Sequence, residues 1–384
     1  MLDLKSISLQ FDSRLEAIKS YDAERSALSD EYRGELEKLK VIDLTMNRML
    51  PPYSGARLLE PGKLIRPFHF NWKNRHDAVE WIDSVLSGVP LGAVDGSQIY
   101  PDKSYEIPLA VIQTSRIFNR HTCNCDYNQD TEATIITPDE FDTASVYSFG
   151  REYIDARRFA MECESIMRLM RQYQKIYILL DGSLILSHIN ALNRNIRSIY
   201  ISAITELLEV SETTKNPVIG FIDTTAPRDI TLMMHFLFRL KKSKLSDTHL
   251  FSNLLWGERT AAFLCDRDDR RDRASKCVLD CYGKFKDSIA FFYIRVSNGL
   301  PARVEFPSWV HEEGLIDKIA DIIRAECVIR GNYPDILMRA HDVALIRLNE
   351  HTLFYGMLDN FCKVHGIKIN KSAKHFHKLM NRRI

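Results

Sequence analysis

The chain of 384 residues is 45% hydrophobic and 27% charged, and its formal net charge is +1. That length accommodates one large domain with insertions or two domains, each with its own core. A near-neutral balance excludes a bulk polycation, so any nucleic-acid contact has to rest on local basic patches or on bound metal. No apolar run reaches the roughly 20 residues of a membrane span, and the opening Met-Leu-Asp-Leu-Lys-Ser has no signal-peptide apolar region. A cytoplasmic protein with reduced thiols and no membrane association is expected. Of the eight cysteines, Cys123 and Cys125 (near His121) and Cys277 and Cys281 form close pairs. Neither pair has the spacing of a zinc site, so unligated thiols are expected.

Residues 10–45 are dense in Glu, Lys, Arg and Asp, with Leu15, Ile18, Tyr21, Leu28 and Tyr32 at helical spacing. They predict a partly exposed helical segment within 1–60, suited to dimerisation or partner docking, with heptads too irregular for a coiled coil. Pro51-Pro52 and Pro61-Gly62 break it. Residues 91–94 read as an apolar strand ending at a turn, Asp95-Gly96-Ser97, with further strands over 107–114 and 132–137. A helix over 151–173 precedes the continuous apolar run 176–180, the pattern of a strand covered on both faces, which ends at Asp181-Gly182-Ser183. A helix over 187–210 and a strand over Val218–Ile222 follow. Beyond residue 240 a hairpin over 289–296 and 302–306 turns through Ser297-Asn298-Gly299. Helices over 312–329 and 334–349 come next. A tail over 351–384 carries Lys363, Lys368, Lys371, Lys374, Lys378, Arg382 and Arg383. Three strands, then helix, strand, helix, strand is the order of an α/β fold: a ribonuclease H-like mixed five-stranded sheet flanked by helices, with N-terminal helical and C-terminal α+β additions.

An Asp at the carboxyl end of a buried strand lies at the sheet edge where ligands bind. Alone, each Asp-Gly-Ser is explained by turn chemistry. After two core strands, the pair points to two carboxylates that repel unless a cation lies between them, and hard divalent ions prefer such oxygen ligands. On the 151–173 helix, Phe159, Cys163, Ile166 and Met170 form the apolar stripe, with Glu162 on its edge. A glutamate there is costly unless paired or metal-bound. Glu164 shares the opposite face with Arg157, Arg168 and Arg171, where solvated ion pairs suffice. Asn332-Tyr333-Pro334 reads as a helix start, followed by Leu337, His341, Ala344, Leu345 and Leu348 along one stripe. By spacing alone His341 reads as a hydrogen-bonded core residue, and Asp342, on the polar side, as a reserve ligand.

These residues resemble the motifs of NurA nucleases. The stretches concerned are 93–101, 178–184, Tyr333-Pro334 with His341, Gly257-Glu258-Arg259-Thr260 and Arg303-Val304-Glu305-Phe306-Pro307, in the family's order from about 90 to 350. The resemblance implies a nuclease domain over 85–350, its core over 89–225 completed by the 330–350 helix. It also implies a usually dimeric enzyme that degrades DNA with two manganese or magnesium ions. The partner implied is HerA, a hexameric ATP-driven DNA translocase, in DNA-end processing or phage defence. It assigns catalytic roles to Asp95, Glu162, Asp181, Tyr333 and His341, with metal held by Asp95, Glu162, Asp181 and His341, and so makes His341 a ligand.

The reaction expected is two-metal phosphodiester hydrolysis, with Asp95 bridging the ions. Ser97, Arg158 and Arg303 are expected contacts to the DNA backbone. Asp223 follows the strand Val218–Ile222 where many relatives are expected to carry a basic residue; it is either an acidic neighbour of the site or a strand-end cap. The alternatives are an enzyme acting on RNA or branched DNA and a non-catalytic subunit that regulates the translocase.

Overall fold

The computed structural model describes residues 2–39, 41–69, 72–122, 127–147, 150–270, 272 and 275–368. Cys123, Cys125 and the basic residues from Lys371 onward lie outside them. The chain divides into two units. The first comprises Met1–Phe70, Asp223–Asp268 and Ala290–Val304, and the second Asn71–Ile222, Asp269–Ile289 and Glu305–Ile384. The N-terminal segment, expected as a helical element by itself, thus shares a unit with residues that the sequence reading placed inside the nuclease domain.

The reason is strand pairing between distant segments. In the first unit, strand Gly55–Leu58 pairs antiparallel with Phe263–Asp266, Phe263 opposite Leu58 and Asp266 opposite Gly55. Phe263 also lies opposite Phe291. The helices Leu4–Ser13 and Leu15–Lys38 precede these strands. The second is tied down near its end, where the fully buried Tyr32 donates its hydroxyl proton to the Lys241 carbonyl at 2.8 Å. Its earlier apolar residues Leu15, Ile18 and Tyr21 are exposed.

The second unit holds a mixed sheet. Its first five strands in chain order are β1 (Leu91–Ile99), β2 (Ala110–Asn119), β3 (Tyr127–Ile136), β4 (Tyr177–Asp181) and β5 (Val218–Ile222). β1, β2 and β3 form an antiparallel meander, and β4 and β5 add in parallel on the other side of β1, giving the order β3-β2-β1-β4-β5. This is the ribonuclease H-like arrangement. Leu91, Ala93, Ile178, Leu179, Val218 and Ile219 are fully buried, as their continuous apolar runs require.

The longer helices around the site are α1 (Glu152–Gln172), α2 (Arg194–Thr214), α3 (Ile316–Arg330), α4 (Asp335–Ala344) and α5 (Leu348–Val364). Asn193 caps α2, accepting a hydrogen bond from the Ile196 N–H, so the expected helix from 187 is a 3-10 turn followed by a separate helix. The late helix expected over 334–349 ends at Ala344, and the start of the expected tail is helical as α5. Among the described residues, Cys277 and Cys281 are not joined in a disulfide. Among the described residues no helix is long and apolar enough to cross a membrane.

Candidate functional site

The parallel pairing of β1 with β4 builds the site. Ala93 lies beside Leu179 and Val94 beside Leu180, so the next residues, Asp95 and Asp181, are neighbours on adjacent strands and point to the same face. The two differ in setting. Asp181 ends β4, and Gly182 follows at φ 144°, a backbone conformation that favours glycine. Asp95 instead lies within β1, which continues in register with β2 to Ile99, Gly96 opposite Thr114 and Ser97 opposite Gln113. The first Asp-Gly-Ser is therefore strand, not the expected turn.

A different reason for Gly96 emerges from strand alternation. Asp95 and Ser97 face α4, while Gly96 faces α1. A Cβ at Gly96 would lie 2.4 Å from Glu162 Oε1 and 2.8 Å from Arg158 Cγ, so only glycine lets these side chains lie against the strand. Glu162 is 6% exposed, on the core-facing edge of α1, whereas Glu164 is exposed. Burial pushes the Glu162 carboxyl up to about 7; Arg158 opposes the rise, and the charges of Asp95 and Asp181 add to it. Arg158 Nη1 donates to Glu162 Oε1 at 2.5 Å and to the Gly96 carbonyl at 3.2 Å.

From the other face, α4 is strapped to the sheet. Ser115 Oγ donates to the Ala340 carbonyl at 2.6 Å, Gln113 Nε2 to the Ala344 carbonyl at 3.0 Å, and the Ile346 N–H to Ser97 Oγ at 3.3 Å. This sets His341 Nδ1 2.9 Å from Asp95 Oδ2. The buried face of α4 is Ile336, Leu337, Ala340 and Ala344, one position round from the expected stripe, so His341 is 53% exposed and not a core histidine. At the end of α3, Gly331 and Asn332 take positive φ and turn the chain so that the Tyr333 hydroxyl donates to Asp181 Oδ1 at 2.7 Å. The Tyr333 ring stands edge-on to Phe221 of β5.

Glu305 is a contributor that the sequence reading did not single out. It is 1% exposed and accepts from Ser183 Oγ at 2.7 Å, the Leu184 N–H at 2.8 Å and the Ile185 N–H at 3.3 Å, fixing the turn that follows Asp181. A glutamate inside the apolar strand Ala302–Pro307 was the available signal, because a buried carboxylate requires partners of this kind.

Arg303 does not reach DNA: it is 1% exposed, donates to Asp229 Oδ2 at 2.8 Å and lies over the Phe291 ring at 3.6 Å. Ser97 and Arg158 are engaged by Ile346 and Glu162. Asp342 pairs with Arg330 at 3.3 Å, and Asp223 is exposed. The structure thus brings together Asp95 with His341, Asp181 with Tyr333, and Glu162 with Arg158. Among the described residues no three His, Cys, Asp or Glu side chains already converge as a closed ligand set. The donor chemistry nevertheless suits a hard cation: two carboxylates on adjacent strands, each one residue past the Val94–Leu180 pair, and a third whose pKa is raised by burial and by their charges.

Comparison with known proteins adds to this geometry. A crystal structure of NurA with manganese is similar over 74% of this chain and 92% of its own, at 12% identity and a TM-score of 0.37. A second, of NurA bound to dAMP and manganese, covers 72% and 91% at 11% identity and a TM-score of 0.38. The catalytic domain of human endonuclease V covers 90% and 99% at 12% identity and a TM-score of 0.33. No curated protein matches the chain in sequence. The sequence model of the NurA domain matches residues 89–346, well over half of the chain and the whole of the sheet and acidic site described above. The chain therefore belongs to the NurA domain family, a family of nucleases.

Proposed function

We propose that the protein is a metal-dependent deoxyribonuclease whose site is built on Asp95, Asp181 and Glu162 with His341 and Tyr333. The observation that carries this reading is the strand register that sets Asp95 beside Asp181 on one face, each already bonded to a side chain from beyond the sheet. Asp95, Asp181, Glu162 and His341 would hold two divalent ions, manganese or magnesium. What a divalent cation supplies in such a site is Lewis-acid charge for a phosphate and a water acidified toward neutral pH.

The chain's own residues supply the rest. Asp95 fixes the ring of His341 through Nδ1, leaving Nε2 of the half-exposed imidazole as the nitrogen that would hold a metal ion. Tyr333 braces Asp181 through a donated hydrogen bond, and Glu305 fixes the turn behind it. DNA as substrate, a homodimer as the working form and a HerA-type translocase as partner, in DNA-end processing or phage defence, belong to the same proposal and rest on family membership.

The test is cleavage of end-labelled single-stranded and duplex DNA, with RNA as control, in manganese, magnesium or chelator, with and without the translocase. D95N and D181N should lose metal-dependent cleavage while keeping a cooperative melt. Wild-type cutting by both variants would remove the site assignment, cutting in chelator would remove the metal, and a preference for RNA would reassign the substrate.

A further inference from the structure

We infer that Arg158 is a resident counter-cation of the acidic site, one that a divalent cation displaces from Glu162 on binding. The inference rests on the metal-dependent reading above and concerns how that site is loaded. A carboxylate as buried as Glu162 requires a cation or a proton. Arg158 supplies the cation from one turn earlier on the same helix, so the pair forms without any long-range contact.

The geometry of the pair differs from that of two other arginine–carboxylate pairs, both in the first unit. Arg259 grips Glu60 with two nitrogens on two oxygens, at 2.7 and 3.0 Å, and Arg267 grips Asp229 in the same way, at 2.8 and 2.6 Å. Such two-pronged pairs are the strong, geometrically fixed form. Arg158 instead reaches Glu162 through Nη1 alone, while its Nε–H is buried without a hydrogen-bond partner. Its side chain is 29% exposed, which leaves it a way out that Arg259, at 1%, lacks.

Gly96 completes the device. Its bare face admits both side chains against β1, so Glu162 approaches the strand that carries Asp95. Here one guanidinium faces Glu162 with Asp95 and Asp155 also in electrostatic range. A doubly charged ion held by Glu162 and Asp95 would repel that guanidinium, and a single-pronged pair beside solvent would yield by side-chain rotation. Arg158 is thus a positioning residue: it holds Glu162 in place before loading and sets the threshold at which metal enters.

The experiment is manganese binding by calorimetry, together with thermal melts with and without manganese, on the full chain as wild type, R158M and R158K. R158M should bind manganese on the order of tenfold more tightly, because a competing positive charge is gone. Its melt should fall in chelator and recover with manganese, and R158K should return affinity toward wild type. Equal or weaker binding by R158M, with the same loss of melting temperature in both conditions, would make Arg158 a plain helix brace and overturn the inference. If R158M does not fold, the wild type decides: manganese should speed phenylglyoxal modification of Arg158, read by mass spectrometry, and an unchanged rate overturns the inference. Absence of manganese binding by wild type would instead remove the metal reading itself.

Discussion

Each unit of the molecule contains a cluster of acidic side chains, and the two clusters are finished differently. In the first unit Asp229 and Asp247 are almost wholly buried. Burial raises the Asp229 pKa, but Arg267 and Arg303 outweigh it and hold the carboxylate below its usual range. Asp247, pushed up by burial and by the charge of Asp229, accepts from the Ile230 and Thr231 N–H groups, the Thr231 hydroxyl and the Tyr293 hydroxyl. In the second unit Asp95 and Asp181 meet an exposed histidine and a tyrosine, and the buried Glu162 is gripped at one oxygen by one arginine. The residue types are similar. What separates a structural cluster from a chemical one is whether protein groups use up the carboxylate oxygens and enclose them, or leave one side for an incoming ligand.

The largest contrast should appear between matched variants. D229N leaves two buried guanidinium groups facing an amide and should cost about 3–5 kcal/mol of stability, read as a lower denaturant midpoint. D95N should instead keep its midpoint within about 0.5 kcal/mol, because it relieves repulsion with Asp181, while cleavage falls roughly a thousandfold or more. A stable D229N, or a D95N that unfolds, would collapse the distinction. Y333F removes the donor to Asp181 and should lower cleavage about 10- to 100-fold with an unchanged melt. G96A forces Glu162 and Arg158 off the strand and should cost about 1–3 kcal/mol, with a measurable loss of manganese affinity.

A pH-dependent effect concerns Glu326. This carboxyl is fully buried on α3; its Oε2 accepts from the Ile336 N–H at the start of α4, and burial pushes it up to about 7. His121, whose pKa burial lowers, faces its Oε1 at 3.9 Å. Because the folded-state pKa of Glu326 is raised, its contribution is full below the unfolded pKa near 4.5 and is lost as pH rises through about 7. The melting temperature of wild type relative to E326Q should therefore fall between pH 5 and 8, and parallel profiles would remove Glu326 as the cause.

Much of this was legible in the sequence, within limits set by what periodicity reports. The runs at 91–94 and 176–180 are apolar on both faces, so two central strands and the aspartates that follow these runs could be read directly. The α1 stripe was equally clear, because one edge position separates the buried Glu162 from the exposed Glu164. Spacing does not report who partners whom. Arg303 looked available for phosphate because its partner Asp229 lies far away in sequence, and the grip of Glu305 on the turn after Asp181 is invisible for the same reason. Asp95-Gly96-Ser97 reads as a turn because Asp-Gly-Ser is common in turns; the cause of the glycine is a side chain on another element.

The register of β1 against β4 has a consequence for how such a chain can change. The interval between Asp95 and Asp181 holds two more strands, a helix and several connections, and the connections can lengthen or shorten without moving either aspartate. The strands themselves have no such freedom. A two-residue slip of β1 brings another residue of the same parity beside Asp181, while a one-residue insertion before Asp95 turns its carboxylate to the α1 side and leaves Asp181 alone. For this site, drift is constrained by odd and even position in two short strands, not by distance along the sequence.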